Sequence, residues 1–330
     1  MTAVDISSLQ TEGRNPRTAD IDSLPTEEVV TRMHHEDLVA AQAVEPCISV
    51  ISQAIDAISP KVRRGGRVIY MGAGTSGRLG VLDASEIPPT YSAPPTQFVG
   101  LIAGGDYAIR NPIEGAEDIP EKGKEALEEL KLDPELDTVV GIASSGRTPY
   151  VLGGLAYAKS IGCTTAGIAC ASPSEMETSG NVDYMITPIT GPEVVTGSTR
   201  MKAGTATKMV LNMISTGVMI RIGKTCGNLM VDVKVSNLKL RARSRRILRT
   251  ICGDTFYVIN DDKSVSSSPQ TIPNDTTGDL LIDRTIAACD ESVKLAIVVS
   301  KTGLSPAEAK LELTTAEGVL DRVLKEHAKC

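Results

Sequence analysis

Residues 67–91 constrain the fold more than any other stretch of the chain. They open with a short apolar run, continue into a Gly-x-Gly-x-x-Gly turn that starts at Gly72, and pass into a segment with apolar residues at helical spacing. Glycine lets the backbone turn sharply and approach a ligand, and the free N–H groups at a helix start favour an anion. The stretch therefore predicts a buried strand, an anion-binding turn and a helix, which Pro88 should stop near Glu86.

Three interpretations compete for this turn. Its glycines fit the fingerprint of dinucleotide-binding folds, but the turn-like stretch after Glu86 has no acidic residue placed to hold a ribose. A nucleotide P-loop is excluded because no Gly-Lys-Ser/Thr follows the glycines. The third interpretation, a purely structural strand-to-helix turn, is weakened by the remaining chain.

Size and charge exclude several classes of protein. With 330 residues the chain can bury a sizeable core. Aromatic residues make up only 3%, and a formal net charge of −7 argues against a nucleic-acid partner. There is no charged start followed by an apolar stretch and no run of about 18 apolar residues, so we expect no membrane partner and a cytoplasmic location.

Cysteine and histidine usage gives no sign of a metal site. The 7 cysteines are scattered without a CxxC pair and are expected to be reduced. His34 and His35 are adjacent on a predicted helix, so they point to different sides. We therefore expect no metal and a reaction that does without histidine.

Further apolar runs complete a predicted sheet. They cover residues 97–103, 138–143, 162–170 and 182–186. The run at 138–143 leads into a second hydroxyl-rich turn and a helix from Tyr150. That turn comprises Ser144, Ser145, Gly146 and Thr148. Repeated strand–turn–helix units predict an α/β fold with a doubly wound, mostly parallel sheet flanked by helices, and with ligands at the carboxyl ends of the strands.

A third hydroxyl-rich segment, residues 191–208, precedes another apolar helix. Its candidate ligand-binding residues are Ser198, Thr199, Arg200 and Lys202, and those of the first turn are Gly74, Thr75 and Ser76. Three such turns in one domain fit a ligand that carries a phosphate and several hydroxyls. The pattern therefore predicts a small-molecule sugar phosphate rather than a bare anion or a nucleotide.

Two other polar segments have both a functional and an ordinary interpretation. Glu114 and Glu117 are three apart in a predicted helix, so they share one face, but a solvated acidic helix start has the same pattern. Residues 11–33 begin as a polar arm and pass into a helix at Thr26, and the apolar spacing from 36 to 59 also predicts a helix. The arm is either a solvated leader or a segment that reaches a ligand or a partner subunit.

The quoted motifs resemble the sugar isomerase domain superfamily. Its Ser-x-Ser-Gly-x-Thr phosphate turn is matched by residues 143–148, except that Ala143 replaces the first serine and puts one hydroxyl contact in doubt. Residues 191–208 are similar to a signature shared by N-acetylmuramic acid 6-phosphate etherases and the glucokinase regulatory protein. Features of the etherase branch are found at residues 11–15, 72–89, 114–118 and 227–233. The resemblance covers roughly residues 11–250, and 292–324 resembles a small helical tail.

The resemblance implies that the chain cleaves the D-lactyl ether of N-acetylmuramic acid 6-phosphate, giving N-acetylglucosamine 6-phosphate and D-lactate. It implies no cofactor. The two catalytic glutamates of the family fall on Glu86, assigned as the acid that protonates lactate and later activates water, and on Glu117, a supporting base or sugar contact. A helix end near Glu86 would favour its protonated form. A sugar-phosphate-binding regulator is the alternative function, and an aldose–ketose isomerase is disfavoured because no base from a tail is recognisable.

The predicted organisation has three parts. Residues 1–55 form an arm and helices, 56–226 the sugar isomerase domain, and 227–330 a helical region with a flexible insertion at 261–278. One conflict arises within the second part, because a straight helix would place Glu86 roughly 15 Å from Ser76. Either the helix bends, or a homodimer has sites near its interface and Glu86 serves the second subunit.

Overall fold

The computed structural model describes residues 10–233 and 238–328, so the first nine residues of the predicted segment 1–55 lie outside the described part. The chain divides into two compact units. Unit 1 comprises Met1–Ile87 and Pro94–Val218, and unit 2 comprises Pro88–Ala93 and Met219–Cys330. The boundary thus falls at 218 rather than at the expected 226, and the N-terminal helices belong to unit 1.

Unit 1 contains a five-stranded parallel sheet, which confirms the predicted fold class. Its strands are β1 (Val68–Gly72), β2 (Phe98–Ile102), β3 (Thr138–Ile142), β4 (Thr164–Ile168) and β5 (Tyr184–Ile186). The order is β2-β1-β3-β4-β5 with every pair parallel. The chain leaves β1 toward β2 on one side and continues through β3 on the other. The switch point between the ends of β1 and β3 is where ligands bind in such sheets.

Eight α-helices begin in unit 1 of the described chain. They are α1 (Thr26–Val44), α2 (Ile48–Arg63), α3 (Gly74–Tyr91), α4 (Tyr107–Arg110), α5 (Pro120–Glu129), α6 (Pro149–Ser160), α7 (Glu175–Thr178) and α8 (Lys202–Arg221). Short 3-10 turns occupy Gln10–Glu12, Pro16–Thr18, Ile21–Ser23 and Glu45–Cys47. The core under α6 joins Val151 and Leu155 to β1 and β3. Gly141 permits this packing, since a Cβ there would lie 2.6 Å from the Leu155 Cδ1.

Three local predictions differ from the structure. The prolines do not stop α3, which continues through Pro88 and Pro89 to Tyr91. Ile87 and Tyr91, one turn apart, are both buried, and this packing offsets the missing N–H groups. Glu114 and Glu117 lie in a loop rather than in a helix. The predicted helix from 36 to 59 is two helices separated by the turn at Glu45–Cys47.

The stretch Thr26–Arg63 is long and apolar enough to pass a membrane-span test by length and composition, and within the described residues it alone does so. A single match of this kind is weak, because core helices of soluble proteins have the same composition. The expected absence of a membrane partner therefore stays a prediction.

Unit 2 is mainly helical. Its helices are α9 (Leu238–Cys252), α10 (Thr276–Ala288), α11 (Val293–Thr302), α12 (Pro306–Thr315) and α13 (Leu320–His327), and its short strand pairs are β6 (Thr225–Cys226) with β7 (Leu229–Met230) and β8 (Thr255–Phe256) with β9 (Gln270–Thr271). The central helix α11 is buried along most of its length and supplies Ala296, Ile297, Val298 and Val299 to the core.

Residues 261–278 are more closely integrated into unit 2 than the sequence suggests. The segment contains β9, and Ile272 packs into the core at 3% exposure. Asp275 caps α10 by accepting from the N–H groups of Thr277 and Gly278. Flexibility of this segment stays a prediction, but its deletion would remove a core side chain and a helix cap.

Candidate active site

The first turn lies at the carboxyl end of β1. Gly74 has a φ of +51°, a conformation that glycine adopts without strain, and it begins α3. The first N–H groups of a helix have no intrahelical partner. Those of Gly74, Thr75 and Ser76 are therefore donors for an anion at the positive end of the α3 dipole.

The second turn lies beside the first, because β3 pairs with β1 and Gly72 is level with Ile142. Gly146 has a φ of +66°, and a Cβ there would come within 2.5 Å of the Ser174 Cβ. Thr148 stands at the N-cap of α6, yet its side chain makes no capping hydrogen bond. Within the described residues, the hydroxyls of Ser145 and Thr148 have no hydrogen-bond partner. Both are thus free to donate to a phosphate.

Glu117 lies between these two turns. The N–H of Tyr150, at the start of α6, donates to the backbone carbonyl of Glu117 at 3.0 Å. Although part of its side chain stays exposed, partial burial of the carboxyl raises the pKa of Glu117, and the negative charges of Asp118 and Glu114 raise it further. A raised pKa makes the carboxylate a stronger base than that of an ordinary glutamate.

Glu114 and Glu117 share a cavity with the first turn. The cavity has a volume of about 180 Å³, and the residues that line it include Gly74, Arg78, Glu114 and Glu117. Gly74, Glu114 and Glu117 were predicted from the sequence. Arg78 is an addition, although it lies within residues 72–89, which resemble the etherase branch. A larger groove of about 710 Å³ runs beside β2 and α5, but none of the hydroxyl-rich turns lines it.

The third segment also reaches the first two turns. A Cβ at Gly204 would lie 3.5 Å from both the Thr75 Cγ2 and the Thr199 carbonyl oxygen. Cys170 joins the second turn to α8, because its N–H donates to the Ser144 carbonyl at 2.8 Å and its thiol to the Ala203 carbonyl at 3.6 Å. Burial raises the pKa of the Cys170 thiol to about 12, so it stays a neutral donor. Ser198 and Thr199 are half-buried and Arg200 is exposed.

Lys202 does not reach this site. Its side chain is fully buried, and its ammonium donates to Glu36 at 2.6 Å. Glu193 is also fully buried and accepts from the N–H groups of Lys202 and Ala203 at 3.0 and 2.9 Å, so the start of α8 is already capped. The predicted phosphate contact of Lys202 is therefore wrong for this structure, since a carboxylate holds the lysine in place.

The N-terminal arm is anchored by the same carboxylate. Asn15 is buried and donates to Glu36 at 2.8 Å and to the Pro192 carbonyl at 3.2 Å, and Arg17 also pairs with Glu36. The pKa of Glu36 is lowered to about 2, chiefly by the hydrogen bond from Arg17 and then by those from Lys202 and Asn15. The arm is thus fixed to the segment that precedes α8 and is not a solvated leader at these residues.

Glu86 is exposed on α3 and does not line the cavity that contains Glu117. The helix is continuous from Gly74 to Tyr91 and is not interrupted near Gly80. Ten residues at about 1.5 Å each place Glu86 roughly 15 Å from Ser76. Asp83, one turn earlier, is buried and accepts from Lys208 at 2.6 Å and Tyr70 at 3.1 Å. The structure therefore brings Glu114 and Glu117 to the turns but leaves Glu86 apart.

Comparison with known proteins places the chain in a family. Residues 50–159 match the model of the glucokinase regulatory protein N-terminal SIS domain. A phosphoheptose isomerase from Neisseria gonorrhoeae aligns with 59% of this chain and 99% of its own at 14% identity and a TM-score of 0.43.

Similarity to N-acetylmuramic acid 6-phosphate etherases extends over nearly the whole chain. The etherase of Caldanaerobacter subterraneus is 48% identical over 97% of this chain and 96% of its own. That of Rhodopirellula baltica is 48% identical over 97% of each, and that of Salmonella typhimurium is 45% identical over 98% of this chain and 100% of its own. These matches confirm the resemblance drawn from the sequence, and the chain belongs to the family of N-acetylmuramic acid 6-phosphate etherases.

Proposed function

We propose that Glu117 and Glu86 are the catalytic groups with which this etherase cleaves the D-lactyl ether of N-acetylmuramic acid 6-phosphate. In the ring-opened aldehyde, Glu117 removes the C2 proton, and the electron pair of the broken C2–H bond forms the C2–C3 double bond. The C3–oxygen bond breaks, and Glu86 protonates the departing lactate oxygen. Water activated by Glu86 then adds to C3 while C2 regains a proton. The products are N-acetylglucosamine 6-phosphate and D-lactate.

The observation that carries this proposal is the position of Glu117. Its side chain lines the cavity that also contains Gly74, and its carbonyl is bonded to the start of α6. A substrate whose phosphate contacts both turns would therefore present its sugar to Glu117. The raised pKa of Glu117 makes its carboxylate a stronger base than an ordinary glutamate.

The phosphate is proposed to bind at the first two turns. Ser76, Ser145 and Thr148 contribute hydroxyls, while Thr75, Ser144 and Gly146 shape the backbone around them. Glu114 is proposed to contact the sugar, and Ser198, Thr199 and Arg200 form the outer side of the site. Neither a metal nor a cofactor is required for this arrangement, because two positioned carboxyls supply both proton transfers.

Glu86 is proposed to act in the site of a second subunit of a homodimer. It is exposed, and Leu82, one turn earlier on α3, is 45% exposed. The α1–α2 stretch also leaves Val30, Leu38 and Ile48 more than half exposed. Exposed apolar side chains in this number are suited to a subunit interface. A second chain there would deliver Glu86 without any bend in α3. The dimer and the cytoplasmic location both remain predictions.

The roles of Glu117 are tested by release of D-lactate from N-acetylmuramic acid 6-phosphate. Glu117→Gln should lower kcat by about 100-fold or more, as expected for loss of a general base. The matched control is Glu121→Gln, an exposed glutamate in the first turn of α5. Glu117 is not the base if its variant is as active as the control. A chain that binds the substrate without releasing lactate would instead favour the regulatory function.

Sharing of Glu86 is tested by mixing two inactive variants. Glu86→Ala and Glu117→Gln chains are combined under conditions that exchange subunits. If the site is composite, mixed dimers contain one site with both functional residues, and lactate release recovers. Mixed dimers as inactive as their parents would show that each subunit uses its own Glu86.

A further inference from the structure

Arg78 is a cation in the proposed active site, and it has no role in the reaction steps described above. It lies one turn after the start of α3 and is half-buried. It lines the cavity together with Glu114 and Glu117. The positive end of the α3 dipole adds to its charge at this point.

The guanidinium is held by backbone carbonyls rather than by an acid. Its Nε donates to the Ile109 carbonyl and its NH2 group to the Ala108 carbonyl, both at 2.9 Å. Two buried or half-buried cations of unit 1 have carboxylate partners instead, Arg67 in Asp137 and Lys202 in Glu36. Among the described residues, Arg78 forms no ion pair with Glu114, Glu117 or any other acid. Arginine has five N–H donors, so donors remain after both carbonyls are satisfied.

We propose that Arg78 binds the carboxylate of the lactyl group. This inference rests on the proposed function, in which the substrate has two anionic groups and the phosphate occupies the hydroxyl-rich turns. The lactyl ether must lie beside Glu117 for the elimination to occur. Its carboxylate would then enter a cavity that already contains two glutamates, and repulsion would oppose binding unless a cation compensates. Arg78 supplies that cation, and a guanidinium matches a carboxylate in charge and geometry.

The same contact would also assist the departing group. Lactate leaves with its carboxylate still charged, and a fixed guanidinium keeps it oriented while the C3–oxygen bond breaks. The carbonyl bonds from Ala108 and Ile109 fix the arginine before substrate binds. Arg78 is thus expected to distinguish the lactyl ether from a neutral ether at C3.

The test compares two substrates that yield the same sugar product. One is N-acetylmuramic acid 6-phosphate, and the other has the lactyl carboxylate replaced by a carboxamide. Release of N-acetylglucosamine 6-phosphate is measured for both. Wild type should prefer the acid by about 10- to 100-fold in kcat/KM, as expected for a charge-assisted contact. Arg78→Met should lose most of that preference, because its activity falls more for the acid than for the amide.

The matched control is Arg110→Met, which changes an exposed arginine at the end of α4 and should keep the wild-type preference. If Arg78 only supports the loop after α4, or binds the phosphate, its variant will lose activity on both substrates equally and the preference will persist. That result overturns the inference. Wild type that uses acid and amide equally well overturns it without any variant. Failure of wild type to act on the acid would instead refute the proposed function.

Discussion

Replacing Glu36 by Gln should destabilise unit 1 strongly. Glu36 is 2% exposed and Lys202 is fully buried, and their ion pair has a length of 2.6 Å. Glutamine keeps the shape of the side chain but removes its charge, and Lys202 is left with a buried ammonium that has lost its carboxylate. The same change weakens the bonds that hold Asn15 and Arg17 of the arm.

Two arguments give the magnitude. The difference between the ordinary pKa of 4.5 and the value of about 2 corresponds to about 3 kcal/mol, which we reduce to about 2 kcal/mol because water screens the exposed Arg17. Removal of one partner from a buried ion pair typically costs about 3 to 5 kcal/mol. We therefore expect Glu36→Gln to lower the free energy of unfolding by about 2 to 5 kcal/mol.

The effect should also depend on pH in one direction. Since the pKa of Glu36 is lowered in the folded state, its contribution to the free energy of unfolding is complete above pH 4.5 and is lost as the pH falls toward 2. Urea unfolding of wild type and variant is followed by circular dichroism. Their free energies of unfolding should differ strongly at neutral pH and less between pH 4.5 and 2.

The control on the same helix is Glu28→Gln. Glu28 pairs with Arg32 but is 49% exposed, so its replacement should change stability far less. The double variant Glu36→Gln/Lys202→Met removes both charges and should recover part of the loss. The ion pair does not stabilise unit 1 if Glu36→Gln is no less stable than Glu28→Gln. The same conclusion follows if the stability losses of the single variants Glu36→Gln and Lys202→Met simply add in the double variant.

Two further changes test the site itself. Ser145→Ala should raise KM by about 10-fold or more, because a hydrogen bond to a charged group contributes about 1.5 to 3 kcal/mol. The control Ser85→Ala, an exposed hydroxyl on α3, should not change KM, and an unchanged KM in the Ser145 variant would refute the phosphate contact. Asp118→Asn removes a negative charge that raises the pKa of Glu117, so the acidic limb of the kcat/KM profile should move to lower pH. A limb that stays in place would mean that another group controls it.

The sheet and the first two turns were predictable because their signals are local. A short apolar run followed by glycines and hydroxyl residues identifies both β1 and β3, and each predicted strand lies within a few residues of its observed position. Parallel pairing then brings the two turns together without further information. The fold and the proximity of the two turns therefore follow from short stretches of sequence.

The errors arise where long-range contacts or backbone conformation decide. Lys202 looked like a phosphate ligand because it stands among hydroxyls, but its partner Glu36 lies 166 residues away in sequence. Glu114 and Glu117 have helical spacing, yet Gly115 adopts a φ of +71° and Pro120 starts the next helix, so the acids lie in a loop. Spacing alone does not distinguish a helix face from two residues of a turn.

The unbroken course of α3 has the largest consequence for function. A helix that ended near Glu86 would have favoured proton donation by that residue, whereas the observed helix continues to Tyr91 and removes this support. Its length also separates Glu86 from the turn at which the same helix begins. The family assignment makes this chain an etherase, so its reaction needs a group that protonates lactate. If Glu86 is that group, a second subunit would bring it to Glu117 without any change in α3, and its exposed position beside the exposed Leu82 is consistent with a shared active site.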